Sequence, residues 1–172
     1  MQHSAPLGLD ATTNKIIVKV LLVLPARYAS QRLPRKMLAD IAGKPLVVRT
    51  YERVRALADV CDIVVATDHA EIAAAIEAAG GTVALTSEQA NSGTMRCAEA
   101  LSQLQQQGKQ YDYVLNVQAD ELFVEVDLLR ALVHQFSALD EETGILTAMQ
   151  PIATWADVQN PNIVKVVFQK NT

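Results

Sequence analysis

The run of residues 16–24 constrains this chain more than any other stretch. It is apolar and β-rich, broken only by Lys19, too short for a typical helix and stopped by Pro25. That pattern predicts a central strand buried on both faces of a sheet. Short runs of the same kind recur at residues 62–67, 82–86, 113–117, 145–150 and 163–168. Helical patterns fill the intervals, over about residues 45–58, from residue 68 to the Gly80-Gly81 pair, and over about 94–107 and 126–139, with a short helix near Ala156. Pro45 suits a first helical turn. Asp68, with Glu71 three residues on, reads as a capping box, and Gly80-Gly81 as a C-cap. Asn91-Ser92-Gly93 reads as a turn before the helix that Thr94 opens. The alternation predicts an α/β fold: a mostly parallel sheet flanked by helices on both faces, with right-handed crossovers. Residues 1–14 are polar and patternless and are expected to form a flexible leader. Residues 15–172 are expected to form one domain.

Composition narrows the function classes. Half of the 172 residues are hydrophobic and 20% are charged, as in a globular domain. A net charge of -4, with no basic run and few aromatics, argues against nucleic acid as a partner. The longest apolar run is too short to span a bilayer, so no membrane association is expected. A signal peptide over residues 1–25 fits poorly, because the segment lacks a basic start and ends in Pro-Ala-Arg in place of a small-residue cleavage site. Cys61 and Cys97, with His3, His69 and His134, show no zinc-ligand spacing. The cysteines read as small core residues in a reducing compartment, and His69 as a surface residue. Trp155 and Phe168 read as core or interface residues.

Chemistry concentrates at the expected carboxyl ends of strands, where open α/β sheets bind ligands. The first such loop runs Leu24-Pro25-Ala26-Arg27-Tyr28-Ala29-Ser30-Gln31-Arg32-Leu33-Pro34-Arg35-Lys36. A nucleoside triphosphate needs fixed cations, because the leaving pyrophosphate gathers negative charge in the transition state. Arg27 and Lys36 could clamp it, and small residues at Ala26, Ala29 and Ser30 would admit backbone amides to the phosphates. A solvated basic surface loop would have the same composition. Asp120-Glu121, after the run at 113–117, supplies a carboxylate pair, and Asp120 is the best candidate for a hard cation such as Mg2+. A helix-entry pair favourable to the dipole is the plainer reading of those two residues.

That first loop resembles the motif L-P-A-R-x-x-S-x-R-L-P-x-K of 3-deoxy-manno-octulosonate (Kdo) cytidylyltransferases. The similarity continues in order through Gly43-Lys44-Pro45, Val64-Val65-Ala66-Thr67-Asp68, Glu77-Ala78-Ala79-Gly80-Gly81, Ser92-Gly93-Thr94, Asn116-Val117-Gln118-Ala119-Asp120-Glu121 and Asn160-Pro161-Asn162-Ile163-Val164-Lys165. It covers about residues 16–168. The resemblance implies a Rossmann-like fold of the nucleotide-diphospho-sugar transferase (GT-A-like) kind, and transfer of CMP from CTP to Kdo with release of pyrophosphate, for lipopolysaccharide biosynthesis in the cytoplasm. It implies that Arg27 and Lys36 hold the CTP phosphates with Ser30 beside them. Ser92, Gly93, Thr94 and Arg96 would line the cytidine side, Gln118 would stand at the nucleotide–sugar junction, and Asp120 would bind Mg2+. A homodimer is implied for the family.

Four residues depart from the family pattern. Arg35 and Ala119 stand where glycine is usual, Met95 where Asp is usual, and Leu122 where Pro is usual. Arg35 is expected to strain the loop if positive φ is needed there. Met95 is expected to leave Arg96 less well held. Family members also run roughly half as long again, so the fold is expected to be incomplete at its C-terminus, lacking much of the sugar site, the dimerisation hairpin and a second metal-binding Asp. Weak or absent activity is therefore expected of the isolated chain. The rival readings are a degenerate homologue that binds only nucleotide or a partner, and a related cytidylyltransferase acting on another acidic sugar or a polyol phosphate.

Overall fold

The computed structural model describes residues 8–9, 16–29, 33–139 and 144–166. The chain divides into two compact units, residues 1–139 and 140–172. The first unit holds strands β1 (Gly8–Leu9), β2 (Ile16–Ile17), β3 (Val20–Ala26), β4 (Asp40–Ile41), β5 (Lys44–Pro45), β6 (Asp62–Thr67), β7 (Val83–Leu85) and β8 (Tyr113–Asn116). Its helices are α1 (Leu46–Val54), α2 (Ala70–Ala78), α3 (Gly93–Gln106) and α4 (Val126–Phe136).

The apolar run at residues 16–24 becomes two strands. Ile16–Ile17 pairs antiparallel with Gly8–Leu9, inside the segment expected to be a leader; the other residues of that segment lie outside the described ones. Val20–Ala26 is the buried central strand, and it runs through Pro25 instead of stopping there. A proline inside a strand lacks a ladder donor. Val23 C=O accepts from Val117 N–H, so residue 25, two positions on, faces the same neighbour. The pairing of β3 with β8 ends at Val23 with Asn116, so the missing N–H falls where no partner strand continues.

The main sheet has the order β7-β6-β3-β8, and its three pairings are all parallel. Leu21 and Val23 of β3, with Val64, Ala66 and Ala84, pack against Cys97, Ala100 and Leu104 of α3. Leu22, Leu24 and Val65 point to the other face and are fully buried. The chain steps outward from β3 to β6 to β7 through α1 and α2, then returns through α3 to β8 on the far side of β3. Right-handed crossovers in opposite directions put α1 and α2 on one face and α3 on the other. This is the expected α/β sheet flanked by helices.

Helix ends follow local chemistry. Gly80 takes φ 77 after α2, the left-handed turn that glycine makes without strain. Gly81 is small for another reason: a Cβ there would lie 2.5 Å from Ile76 Cγ2. The start of α2 differs from expectation. Its cap is His69, whose Nδ1 accepts the Glu71 N–H at 3.2 Å, while Asp68 points elsewhere. A carboxylate one residue earlier, just past the end of β6, accepts instead from Tyr28 N–H and Arg96 across the sheet end.

In the second unit, helix α5 (Trp155–Gln159) is capped by Thr154, whose Oγ1 accepts from Asp157 N–H at 3.1 Å. The strands expected at residues 145–150 and 163–168 do not form among its described residues. Ile145 and Val164 are about nine-tenths exposed. An apolar strand needs a neighbouring strand for its backbone and a covered face for its side chains, and neither is found for these segments among the described residues of the unit. Trp155 is exposed, which removes the core reading of it; Phe168 lies outside the described residues.

Candidate active site

The reversal of direction at β3 creates a crevice between the carboxyl ends of β3 and β8, the place where open α/β sheets bind ligands. A cleft of about 240 Å³ lies there. Arg27 enters it from the loop after β3, Gln118 and Asp120 from the turn after β8, and Ser92, Gly93 and Arg96 from the start of α3. Pro25, Met37, Ala90 and Asn91 complete its wall.

The loop after β3 is held at both described ends. Tyr28 N–H donates to Asp68 Oδ1 at 2.9 Å, and the Tyr28 ring stacks on His69 with 3.5 Å between centroids and 9° between planes. The Arg35 guanidinium lies 5.8 Å from the centre of the Tyr28 ring and pairs with Glu71. Lys36 begins a single turn of 3-10 helix (Lys36–Leu38) that buries Met37. Its ammonium reaches Asp120 Oδ2 at 2.5 Å. The sequence positions 27, 36 and 120 are thus brought together. Ser30 lies outside the described residues.

Asp120 is presented by a tight turn in which Glu121 N–H donates to Gln118 C=O at 3.0 Å. Gln118 Nε2 donates to Asn116 Oδ1 at 3.2 Å. On the opposite wall, Ser92 caps α3 by accepting the Met95 N–H at 3.1 Å. A Cβ at Gly93 would stand 3.3 Å from Pro25 Cγ and 3.4 Å from Gln118 Nε2, so the helix start closes tightly on the two strand ends. Thr94 is exposed on the first turn of α3 and is not among the cleft-lining residues.

Arg96 overturns one expectation. In place of a loosely held side chain, its guanidinium is buried, with Nη2 donating to Asp68 Oδ2 at 2.9 Å and to Ala90 C=O at 3.0 Å, and Nη1 donating to Thr86 Oγ1. Met95 is exposed, so the carboxylate missing there is not what holds Arg96. Two other departures separate cleanly. Arg35 adopts φ 56, the left-handed backbone that glycine would tolerate better, whereas Ala119 is buried without positive φ. Sequence reasoning missed Asp68 as a cleft-side group, because Glu71 at the capping-box spacing offered a simpler role. Its position at a strand end was the available signal.

A larger hollow, about 580 Å³, opens at the amino end of the sheet. On its wall Tyr111 OH donates to Asp62 Oδ2 at 2.6 Å, Lys109 lies 4.0 Å from the same oxygen, and Lys19 and Asp59 also line it.

The metal question turns on Asp120. Among the described residues no group of three or more His, Cys, Asp or Glu side chains could cage an ion. Lys36 meets only Oδ2 of Asp120, and an exposed carboxylate at a strand end suits Mg2+ of the kind held by one or two protein oxygens and by substrate phosphates.

A family model of cytidylyltransferases matches residues 21–172. The chain belongs to the cytidylyltransferase family. It is 40% identical over 159 residues to a 3-deoxy-manno-octulosonate cytidylyltransferase of Parabacteroides distasonis, covering 90% of this chain and 61% of that protein. It is 46% identical over 147 residues to the protein of the same name from Yersinia pseudotuberculosis serotype O:1b, covering 85% of this chain and 56% of that protein. A solved structure of CMP:2-keto-3-deoxy-manno-octonic acid synthetase complexed with CTP superposes with a TM-score of 0.64 and 35% identity, over 70% of this chain and 48% of that one. The chain thus spans about half to three-fifths of the length of these family members. No helix among the described residues is long and apolar enough to cross a membrane.

Proposed function

We propose that this chain supplies the CTP-binding part of a cytidylyltransferase that transfers CMP to Kdo. The observation that carries the reading is the meeting of Lys36 with Asp120 at 2.5 Å beside the cleft that Asp120 and Arg27 line, at the reversal point of the sheet. An ammonium has three donors, so Lys36 can hold Asp120 and still offer two to phosphate oxygens. Arg27 adds a planar donor fork suited to the same phosphates. Ser92, Gly93 and Gln118 would face the cytidine and its junction with the sugar, with Arg96 behind them in the cleft wall and Thr94 beside them on the first turn of α3, and Ser30 would stand beside the phosphates. Among the described residues Asp120 is the carboxylate that would hold Mg2+, and the bound ion would neutralise charge on the phosphates.

In the proposed reaction the anomeric hydroxyl of Kdo attacks the α-phosphorus of CTP and pyrophosphate departs. Lys36 and Arg27 would stabilise the charge that builds on that leaving group, and the cleft would hold the α-phosphate in line with the acceptor. No protein nucleophile is required. Kdo as acceptor is supported by the names and identities of the relatives; lipopolysaccharide synthesis, a homodimer and the cytoplasm belong to the same proposal through the family resemblance alone. Those identities favour it over a degenerate binder or an enzyme for another sugar. The tests are calorimetric binding of CTP with Mg2+, whose absence would contradict the reading, and, for the acceptor, pyrophosphate release on addition of Kdo, expected to be weak in a chain that spans about half to three-fifths of its relatives. Turnover dependent on all three supports the reading; equal turnover with an unrelated sugar acid would contradict the choice of acceptor.

A further inference from the structure

Arg96 lines the cleft, yet its hydrogen-bonding nitrogens are turned to the protein. Asp68 explains the arrangement. Its side chain is one-tenth exposed and spans two elements: Oδ2 accepts from Arg96 on α3, and Oδ1 accepts from the backbone N–H of Tyr28, directly after Arg27. Arg96 in turn is fixed by Thr86 and Ala90. One carboxylate therefore ties the cation-bearing loop after β3 to the helix start on the other wall. We infer that Asp68 is a positioning residue, which holds the peptide bond following Arg27 so that the Arg27 guanidinium is presented to the polyphosphate. This rests on the proposed nucleotide reading of the cleft.

The chemistry separates bracing from simple stability. A buried charge left without its partner is strongly destabilising, whereas replacing both partners by apolar groups is often neutral or better. In Arg96→Met the carboxylate loses its cation but still accepts the Tyr28 N–H. In Asp68→Leu/Arg96→Met the unpaired charge is gone, and so is the acceptor. In Asp68→Asn/Arg96→Met a neutral amide oxygen remains to accept from Tyr28.

The three variants and the wild-type chain would be compared by calorimetric affinity for CTP with Mg2+, by thermal unfolding without ligand, and by the rate of tryptic cleavage at the Arg27–Tyr28 bond. The expected result is that the leucine variant binds about tenfold more weakly than the other two, the loss of one hydrogen bond to the loop, while being more stable than Arg96→Met. Its Arg27–Tyr28 bond is cut faster, and asparagine restores both binding and protection. Affinity that simply follows stability across the series, or equal affinity for the leucine and asparagine variants, would overturn the inference. Should the wild-type chain fail to bind CTP while the leucine variant alone shows faster cleavage, the loop anchor stands and the nucleotide reading falls. Equal cleavage in all three variants would overturn the anchor itself.

Discussion

Replacing Lys36 by Ala should separate binding from folding. Its ammonium meets Asp120 Oδ2 at 2.5 Å, but the two side chains are 37% and 36% exposed, so water screens the pair. Exposed ion pairs of this kind are worth no more than about 1 kcal/mol. Losing it should lower the unfolding midpoint by roughly 2–4 °C in a chain of this size. The proposed phosphate contacts are different in scale, because a hydrogen bond to a charged group contributes about 1.5–3 kcal/mol. Lys36→Ala should therefore weaken CTP binding by about 10- to 150-fold. Lys36→Arg, which keeps the charge, should recover part of the loss. Calorimetry with CTP and Mg2+, run beside thermal unfolding, reads both quantities. A variant that binds CTP within about twofold of wild type, or one whose binding falls only because it unfolds, would refute the reasoning.

Further outcomes follow from the backbone geometry and from burial. Gly81→Ala should destabilise the chain by about 1–3 kcal/mol, because its Cβ would fall 2.5 Å from Ile76 Cγ2 and 2.9 Å from Tyr51 Cζ; a denaturant titration without a shift would contradict this. At position 35, glycine should be more stable than alanine by about 1 kcal/mol. Both substitutions lose the exposed contacts to Glu71 and Tyr28, but only alanine keeps a Cβ at φ 56; equal unfolding midpoints would exclude backbone strain there. Burial pushes the Cys61 and Cys97 thiols up from an ordinary value of 9.0 to about 11. Both should resist a thiol reagent at about pH 8 in the folded chain and react once it unfolds. The unfolded state releases these protons first, so stability should fall as pH rises from the ordinary value toward 11. A Cys61→Ala/Cys97→Ala chain should lose less stability over that interval.

Much of the fold was legible because short apolar runs alternate with helical patterns, and residues 62–67 form a strand with the bounds read from the pattern. Pattern failed where context decides. Pro25 is tolerated in β3 because β8 has already parted from that edge, which no local rule reports. Residues 145–150 and 163–166 carry strand-like composition without forming strands, since pairing depends on neighbours and not on the segment itself. At the cleft, the loop and turn motifs carried Arg27, Lys36 and Asp120, whose approach to one another depends on the strand order. Asp68 and Arg96 were read by local roles, as a cap and as a cytidine contact. Their pairing joins residues 28 apart in sequence, and only the packed sheet end brings them within 2.9 Å.

The account rests on a polyphosphate being gripped jointly by Arg27, Lys36 and an Asp120-held cation. The most direct measurement is calorimetric titration of CTP into the wild-type chain and Asp120→Asn, each with Mg2+ and with chelator. Binding by the wild type that weakens about tenfold or more without Mg2+, with that dependence lost in Asp120→Asn, is the predicted result. Affinity unchanged by the chelator, or equally magnesium-dependent in both proteins, would contradict the claim.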